Sequence, residues 1–172
     1  MIAVMLGLTV TMNNALYETT QQVNTKATVA TVGNVVCTDL NNAGGKNIAA
    51  GQAFISASAT GFKMRADTSD DTSTYPVYTV EYTTSFNGAD SLYTLSRRDN
   101  GGAPLTVSKN LTSISFTYFH QKDDHTYVPI ADPNSHLSDI DRIRVKLVAK
   151  VAGVTQGFTT ALNDISVNPP NI

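Results

Sequence analysis

Three groups of acidic residues and three histidines are the positions at which this 172-residue chain could do chemistry. Asp67, Asp70 and Asp71 form one group, Asp123 and Asp124 a second, and Asp132, Asp139 and Asp141 a third. Calcium takes about six to eight oxygen ligands, and a loop with several Asp side chains plus backbone carbonyls can supply them. The loop holding Asp132, Asp139 and Asp141 is therefore the candidate calcium site, against the alternative of solvated turn carboxylates. None of the groups has EF-hand spacing. His120, His125 and His136 lack the close spacing of a zinc ligand set, and His120 and His125 fall at a strand end and the turn after it.

Nucleophilic and cofactor chemistry find no foothold. Cys37 is the single cysteine, which excludes an intrachain disulfide and a CxxC pair. Its apolar neighbours Val35, Val36 and Leu40 predict a buried thiol that packs as a small hydrophobe. The nucleophile elbow, the phosphate-cradling P-loop and the dinucleotide fingerprint are missing. No acid/base pair has arguable roles, so the chain reads as a non-enzyme without a cofactor, calcium apart.

Composition narrows the partners. Twelve Lys and Arg against fourteen Asp and Glu give a net charge of −2, and charged residues are only 15 % of the chain. That leaves no electrostatic footprint for nucleic acid. The polar surface must come from Thr, Ser, Asn and Gln. The length fits one domain that can bury a core without metal or disulfide staples.

These side chains must be positioned by two kinds of element. No proline and no glycine pair interrupts residues 2–40, so one helix of roughly 40 residues, about 60 Å long, is predicted there. Residues 1–16 are its apolar part and 17–40 its amphipathic part. Val29, Val32, Val36 and Leu40 recur at three- and four-residue spacing and should pack the helix onto a sheet. The middle, "ETTQQVNTKAT", is poor in helix formers, so packing is expected to hold it.

Beyond Gly45 the period becomes two. In "DIDRIRVKLVAKV", Ile143, Val145, Leu147, Ala149 and Val151 alternate with Arg142, Arg144, Lys146 and Lys150, a half-buried strand with a basic outer stripe. "LTSISFTYFH" sets Ile114, Phe116 and Tyr118 on one face. "YPVYTVEYTT" and "DSLYTLSRR" are strands joined at "SFNGA", and "GFTTALNDISV" is a last strand. Nothing helical is expected after about residue 45. The fold class is thus α+β: a long N-terminal helix packed on an antiparallel sheet, with residues 41–172 as the β-rich head.

The opening stretch "MIAVMLGLTV" is too short to cross a bilayer, since ten helical residues cover about half of a ~30 Å hydrocarbon core. The first basic residue is Lys26 and no small-residue cleavage site follows the run, so it is expected to be retained rather than removed as a signal peptide.

The chain resembles the type IV pilins and the pseudopilins of type II secretion. "MIAVMLGLTV" is similar to the interior of their N-terminal segment. "TDLNNAGG" resembles the helix-ending motif of PilW-type minor pilins and J-type pseudopilins. "LYTLSRRDNGGAPLTVSKNLTSISFTYF" resembles their hairpin of an Arg-bearing strand and a strand with Phe-x-Tyr, here Phe116 and Tyr118, and "LSDIDRIRVKLVAKV" with "FTTALNDISV" resembles their closing strands. The glycine cleavage site, phenylalanine and glutamate that precede the apolar run in the family fall on no residue here. The C-terminal disulfide loop of many major pilins is impossible with one cysteine.

The resemblance implies a pilin-like fold and a structural subunit of a type IV pilus or type II secretion filament, a minor pilin or pseudopilin. Ile2, Val4, Leu6, Leu8 and Val10 would then belong to the assembly helix, and the opening run would be half of a membrane-spanning segment. Its partners would be other pilin or pseudopilin subunits, and the inner membrane before assembly. The location would be the inner membrane and periplasm, or the cell exterior in an assembled pilus. Calcium is known in some pseudopilins, which adds to the reading of the loop at 132–141. The alternatives are a major pilin, or a membrane-anchored adhesin or ligand-binding module in which Tyr75, Tyr78, Tyr82 and Tyr127 offer stacking surfaces.

Overall fold

The computed structural model describes residues 2–45, 47–67, 77–150 and 160–167. Helix α1 runs over Ile2–Asn41, 40 residues without a break. It stops where Gly44 and Gly45 take φ of 83° and 124°, the left-handed region that glycine tolerates. A Cβ at Gly45 would lie 2.5 Å from that of Asp67, so the close approach also requires glycine. Backbone bonds from Gly44 N–H to Arg65 O and from Asp67 N–H to Gly44 O, both 2.9 Å, then tie the helix end to the sheet.

The strands are β1 (Phe54–Ser58), β2 (Gly61–Ala66), β3 (Tyr78–Asn87), β4 (Leu92–Asp99), β5 (Leu105–Gln121), β6 (Tyr127–Pro129), β7 (Arg142–Lys150) and β8 (Thr160–Val167). Among the described residues they form one antiparallel sheet in the order β1-β2-β3-β4-β5-β7-β8, with β6 paired to the end of β5. The register pairs Phe116 with Val145 and Tyr118 with Ile143, as the period-two pattern of both strands requires. The sheet curls, because the β1–β2 turn folds over the middle of β5. Phe116 N–H donates to Ala59 O at 3.2 Å, and the Tyr118 hydroxyl is shared between Ser58 O and Gly61 O, each at 2.9 Å.

Val29, Val32, Val36 and Leu40 are buried inside this curl with Phe62, Met64, Tyr82, Leu95, Leu111, Phe116, Tyr118, Ile143, Val145 and Leu147. Each such aliphatic side chain contributes about 1.5 to 3 kcal/mol. The architecture is α+β, with the second half of the helix covering one face of the sheet.

Two expectations are corrected. After residue 45 there are short 3-10 turns at Pro133–Ser135 and Leu137–Asp139. Pro133 presets φ for the first of them, and Ser135 Oγ donates to Asp132 Oδ2 at 2.6 Å across it. The Thr-rich middle of α1 is not held by packing, since residues 18–20, 23, 24 and 26–28 are exposed. Within it Thr19, Thr20, Thr25 and Thr28 each donate their hydroxyl to the carbonyl four residues earlier, at 2.8 to 2.9 Å, which satisfies the hydroxyls without adding to helix stability.

Candidate functional site

The outer face of α1 is apolar without an internal partner. Met12, Leu16, Tyr17 and Val23 are between 52 % and 63 % exposed. Met12, Leu16, Val23, Ala27 and Ala30 follow a three-, four- and seven-residue spacing that sets them along one side, roughly opposite the stripe of Val29, Val32, Val36 and Leu40. The only charges in the helix before Asp39 are Glu18 and Lys26. Ile2, Val4, Leu6, Leu8 and Val10 are helical in backbone, and their side chains lie outside the described residues.

The other end of α1 carries an ionic tie. Asp39 is 8 % exposed, one residue before the buried Leu40. Arg97 on β4 grips its carboxylate with Nε at 2.6 Å from Oδ2 and Nη2 at 3.1 Å from Oδ1. Tyr82 on β3 donates its hydroxyl to Oδ2 at 2.5 Å, and Arg97 Nη1 also donates to Asp99 Oδ2 at 2.5 Å. Burial, then the bond to the Asp39 carboxylate, pushes the Tyr82 phenol far above its ordinary value. The hydrogen bond to Asp39 likewise raises Arg97 despite partial burial. The group joins α1 to β3 and β4 through one shared carboxylate. Beside it Thr31, Asn34, Val35, Thr38, Asp39 and Arg97 line an open groove of about 400 Å³.

Neither Asp39 nor Arg97 stood out in the sequence as a functional pair, since 58 residues separate them. The available signal was parity: Arg97 shares a face of β4 with the buried Leu95, and Asp39 adjoins the buried helix stripe. A charged residue at each place needs a partner.

The candidate calcium ligands do not converge. Among the described residues no three His, Cys, Asp or Glu side chains are grouped to hold a metal. Asp132 accepts from Ser135 Oγ. Asp139 meets Ser138 Oγ at 3.0 Å and His136 Nδ1 at 3.2 Å. Asp141 accepts from the Gln121 amide at 2.7 Å and lies 2.9 Å from His120 Nδ1. Asp132 and Asp139 are therefore taken up within their own turns, and Asp141 is taken up by the end of β5. Hydrogen bonds from Ser135 and Ser138 hold Asp132 and Asp139 below the usual carboxylate range, and the bond from Thr126 does the same to Asp124. Asp67 receives Asn47 through backbone N–H at 3.0 Å and side-chain amide at 2.7 Å. Asp70 and Asp71 lie outside the described residues.

The remaining singled-out positions are divided. Arg144 and Lys146 are exposed on the outer face of β7, with Arg144 over the Phe119 ring and Arg142 over the Tyr127 ring at 5.2 and 4.4 Å. Lys146 is paired in register with Asp164 of β8, an opposite charge on the adjoining strand. The Lys150 side chain and Val151 are outside the described residues. Of the proposed stacking tyrosines, Tyr82 is fully buried, Tyr127 already carries Arg142, Tyr78 is half-buried and Tyr75 is outside the described residues. Cys37 is free but only half-buried, because it sits at the margin of the stripe; burial raises its thiol pKa.

Among the described residues no helix is long and apolar enough to cross a membrane. No family model, no curated protein and no solved structure matches this chain.

Proposed function

We propose that this chain is a structural subunit of a helical filament, a minor pilin or pseudopilin of a type IV pilus or type II secretion system, joining its neighbours through α1. The observation that carries the reading is the division of one continuous helix. Its second half is locked into the sheet by Val29, Val32, Val36 and Leu40, while Met12, Leu16, Tyr17 and Val23 are left exposed. Exposed apolar side chains on a helix lose contact with water when they meet other apolar helices or lipid, so the same face serves a membrane-held and an assembled state. The resemblance in motif order along the chain supports the same assignment.

The test is direct. Filaments sheared or purified from the source cells are analysed by mass spectrometry for this chain, and the gene is deleted. Presence in filaments, or defective pilus assembly or secretion on deletion, is expected. Consistent absence with normal assembly and secretion overturns the proposal. Reading the codons immediately upstream of Met1 is an independent check, because a prepilin would encode a glycine, a phenylalanine and a glutamate just before the apolar run.

A further inference from the structure

The chain contains two Asn-Gly pairs, Asn87–Gly88 and Asn100–Gly101, and the fold treats them differently. We infer that Asn87 is a self-modifying position, converting without an enzyme to aspartate and isoaspartate, and that the fold protects Asn100 from the same reaction. Asn87 ends β3 at the tip of the β3–β4 hairpin, where Asn87, Gly88 and Ala89 are all exposed. A Cβ built on Gly88 meets nothing within 4 Å, so nothing crowds the turn. The Asn87 side chain stays within its own turn: its Oδ1 accepts from Ala89 N–H at 3.2 Å.

The chemistry needs only water. The deprotonated backbone nitrogen of Gly88 attacks Cγ of Asn87 and forms a C–N bond. Negative charge develops on Oδ1, where the Ala89 N–H already donates. The side-chain nitrogen takes up a proton and leaves as ammonia, closing a succinimide ring. Water then adds to one of the two ring carbonyls, and the ring opens to aspartate or to isoaspartate. The sum is amide plus water giving carboxylate plus ammonium, with one negative charge added at the hairpin tip.

Asn100 has the same neighbour but not the same freedom. Its Oδ1 accepts from Thr79 N–H at 2.8 Å and its own N–H donates to Thr79 O at 2.8 Å, both bonds crossing to β3. The side-chain carbonyl is thus turned toward the next strand rather than along its own turn. The side-chain bond must open, while the backbone bond anchors Asn100 against β3, before Gly101 nitrogen can reach Cγ, which slows conversion about tenfold.

The full chain is incubated in mildly alkaline buffer, digested under acidic conditions, and its peptides are followed by mass spectrometry, with fragmentation separating isoaspartate from aspartate. The Asn87 peptide should convert about tenfold faster than the Asn100 peptide in folded protein, and the difference should vanish in urea. Gly88→Ala has room for its methyl group, so it should keep the thermal melting curve while slowing conversion at Asn87. Equal rates at the two sites in folded protein, or faster conversion at Asn100, overturn the inference.

Discussion

Arg97 holds Asp39 with two prongs, Nε and Nη2 on the two carboxylate oxygens, and so fastens the last turn of α1 to the fourth strand of the sheet. The pair is mostly buried, with side-chain exposures of 21 % and 11 %, and Tyr82 fills a further acceptor position on Asp39. Removing the guanidinium leaves a carboxylate in the core margin with only a phenol to satisfy it. Arg97→Ala is expected to cost about 2 to 4 kcal/mol, discounted from the fully buried case because Arg97 keeps some solvent. Arg97→Lys keeps the charge but loses the fork, and should cost roughly half as much. Urea denaturation of both variants checks the order; equal stability of Arg97→Ala and the parent would show the tie to be incidental.

The two halves of α1 should answer differently to the same charge. Val36 is fully buried and Leu16 is 63 % exposed. Val36→Asp places an unpaired carboxylate between helix and sheet and is expected to unfold the protein or lower its stability by more than about 4 kcal/mol. Leu16→Asp should leave the isolated protein within about 0.5 kcal/mol of the parent and, under the filament-subunit proposal, remove it from filaments. Circular-dichroism melting and filament pull-down read the two effects. A Leu16→Asp protein that melts like Val36→Asp would place Leu16 in the core.

Where periodicity carries the information, the sequence is readable. The three- and four-residue spacing of Val29, Val32, Val36 and Leu40 gave the buried stripe, and alternation in β7 gave Ile143, Val145 and Leu147 as the inward set, all of them buried. The Thr-rich middle of α1 was expected to be held by packing, yet it continues the helix with most of its side chains exposed, because periodicity in the flanking stripe says nothing about the turns beyond it. Four of its hydroxyls return to the carbonyl four residues back. Parity marks Asp39 and Arg97 each as a charge that needs a partner, but periodicity says nothing of which charges meet across 58 residues. In the acidic loop, proximity in sequence likewise says nothing of which donors each carboxylate meets. Asp132, Asp139 and Asp141 are close in sequence, yet Ser135, Ser138 and the Gln121 amide each claim one of them.

Gly61 begins β2 where the β1–β2 turn passes against β3. A Cβ there would lie 2.1 Å from Tyr82 O, a backbone atom with no freedom to yield. The same turn accepts the Tyr118 hydroxyl at Gly61 O, so a displaced backbone would also disturb the curl of the sheet. Gly61→Ala is expected to destabilise by about 3 kcal/mol or more, beyond the ordinary loss from overpacking. Gly88→Ala, in open space, is the control and should stay within about 0.5 kcal/mol of the parent in denaturant titration.

The loop from Asp132 to Asp139 should carry a pH response whose origin is a serine rather than a metal. Ser135 Oγ donates to Asp132 at 2.6 Å, and that bond holds the Asp132 carboxyl below its usual range. A folded-state pKa that is depressed means the ionised form is favoured by the native turn. The contribution of this bond is therefore fully present above the ordinary carboxylate pKa of about 3.9 and is lost as pH falls through the lower native value. Ser135→Ala removes the donor, and the Asp132 titration followed by NMR should move up toward the ordinary carboxylate range. Asp139, whose Ser138 and His136 partners are untouched, should keep its depressed midpoint in the same spectra. Added calcium should leave both midpoints in place, since the carboxylates stay engaged with their own turns. An Asp132 midpoint that is already ordinary in the parent protein, or one that falls steeply on adding calcium, would refute the serine-centred account.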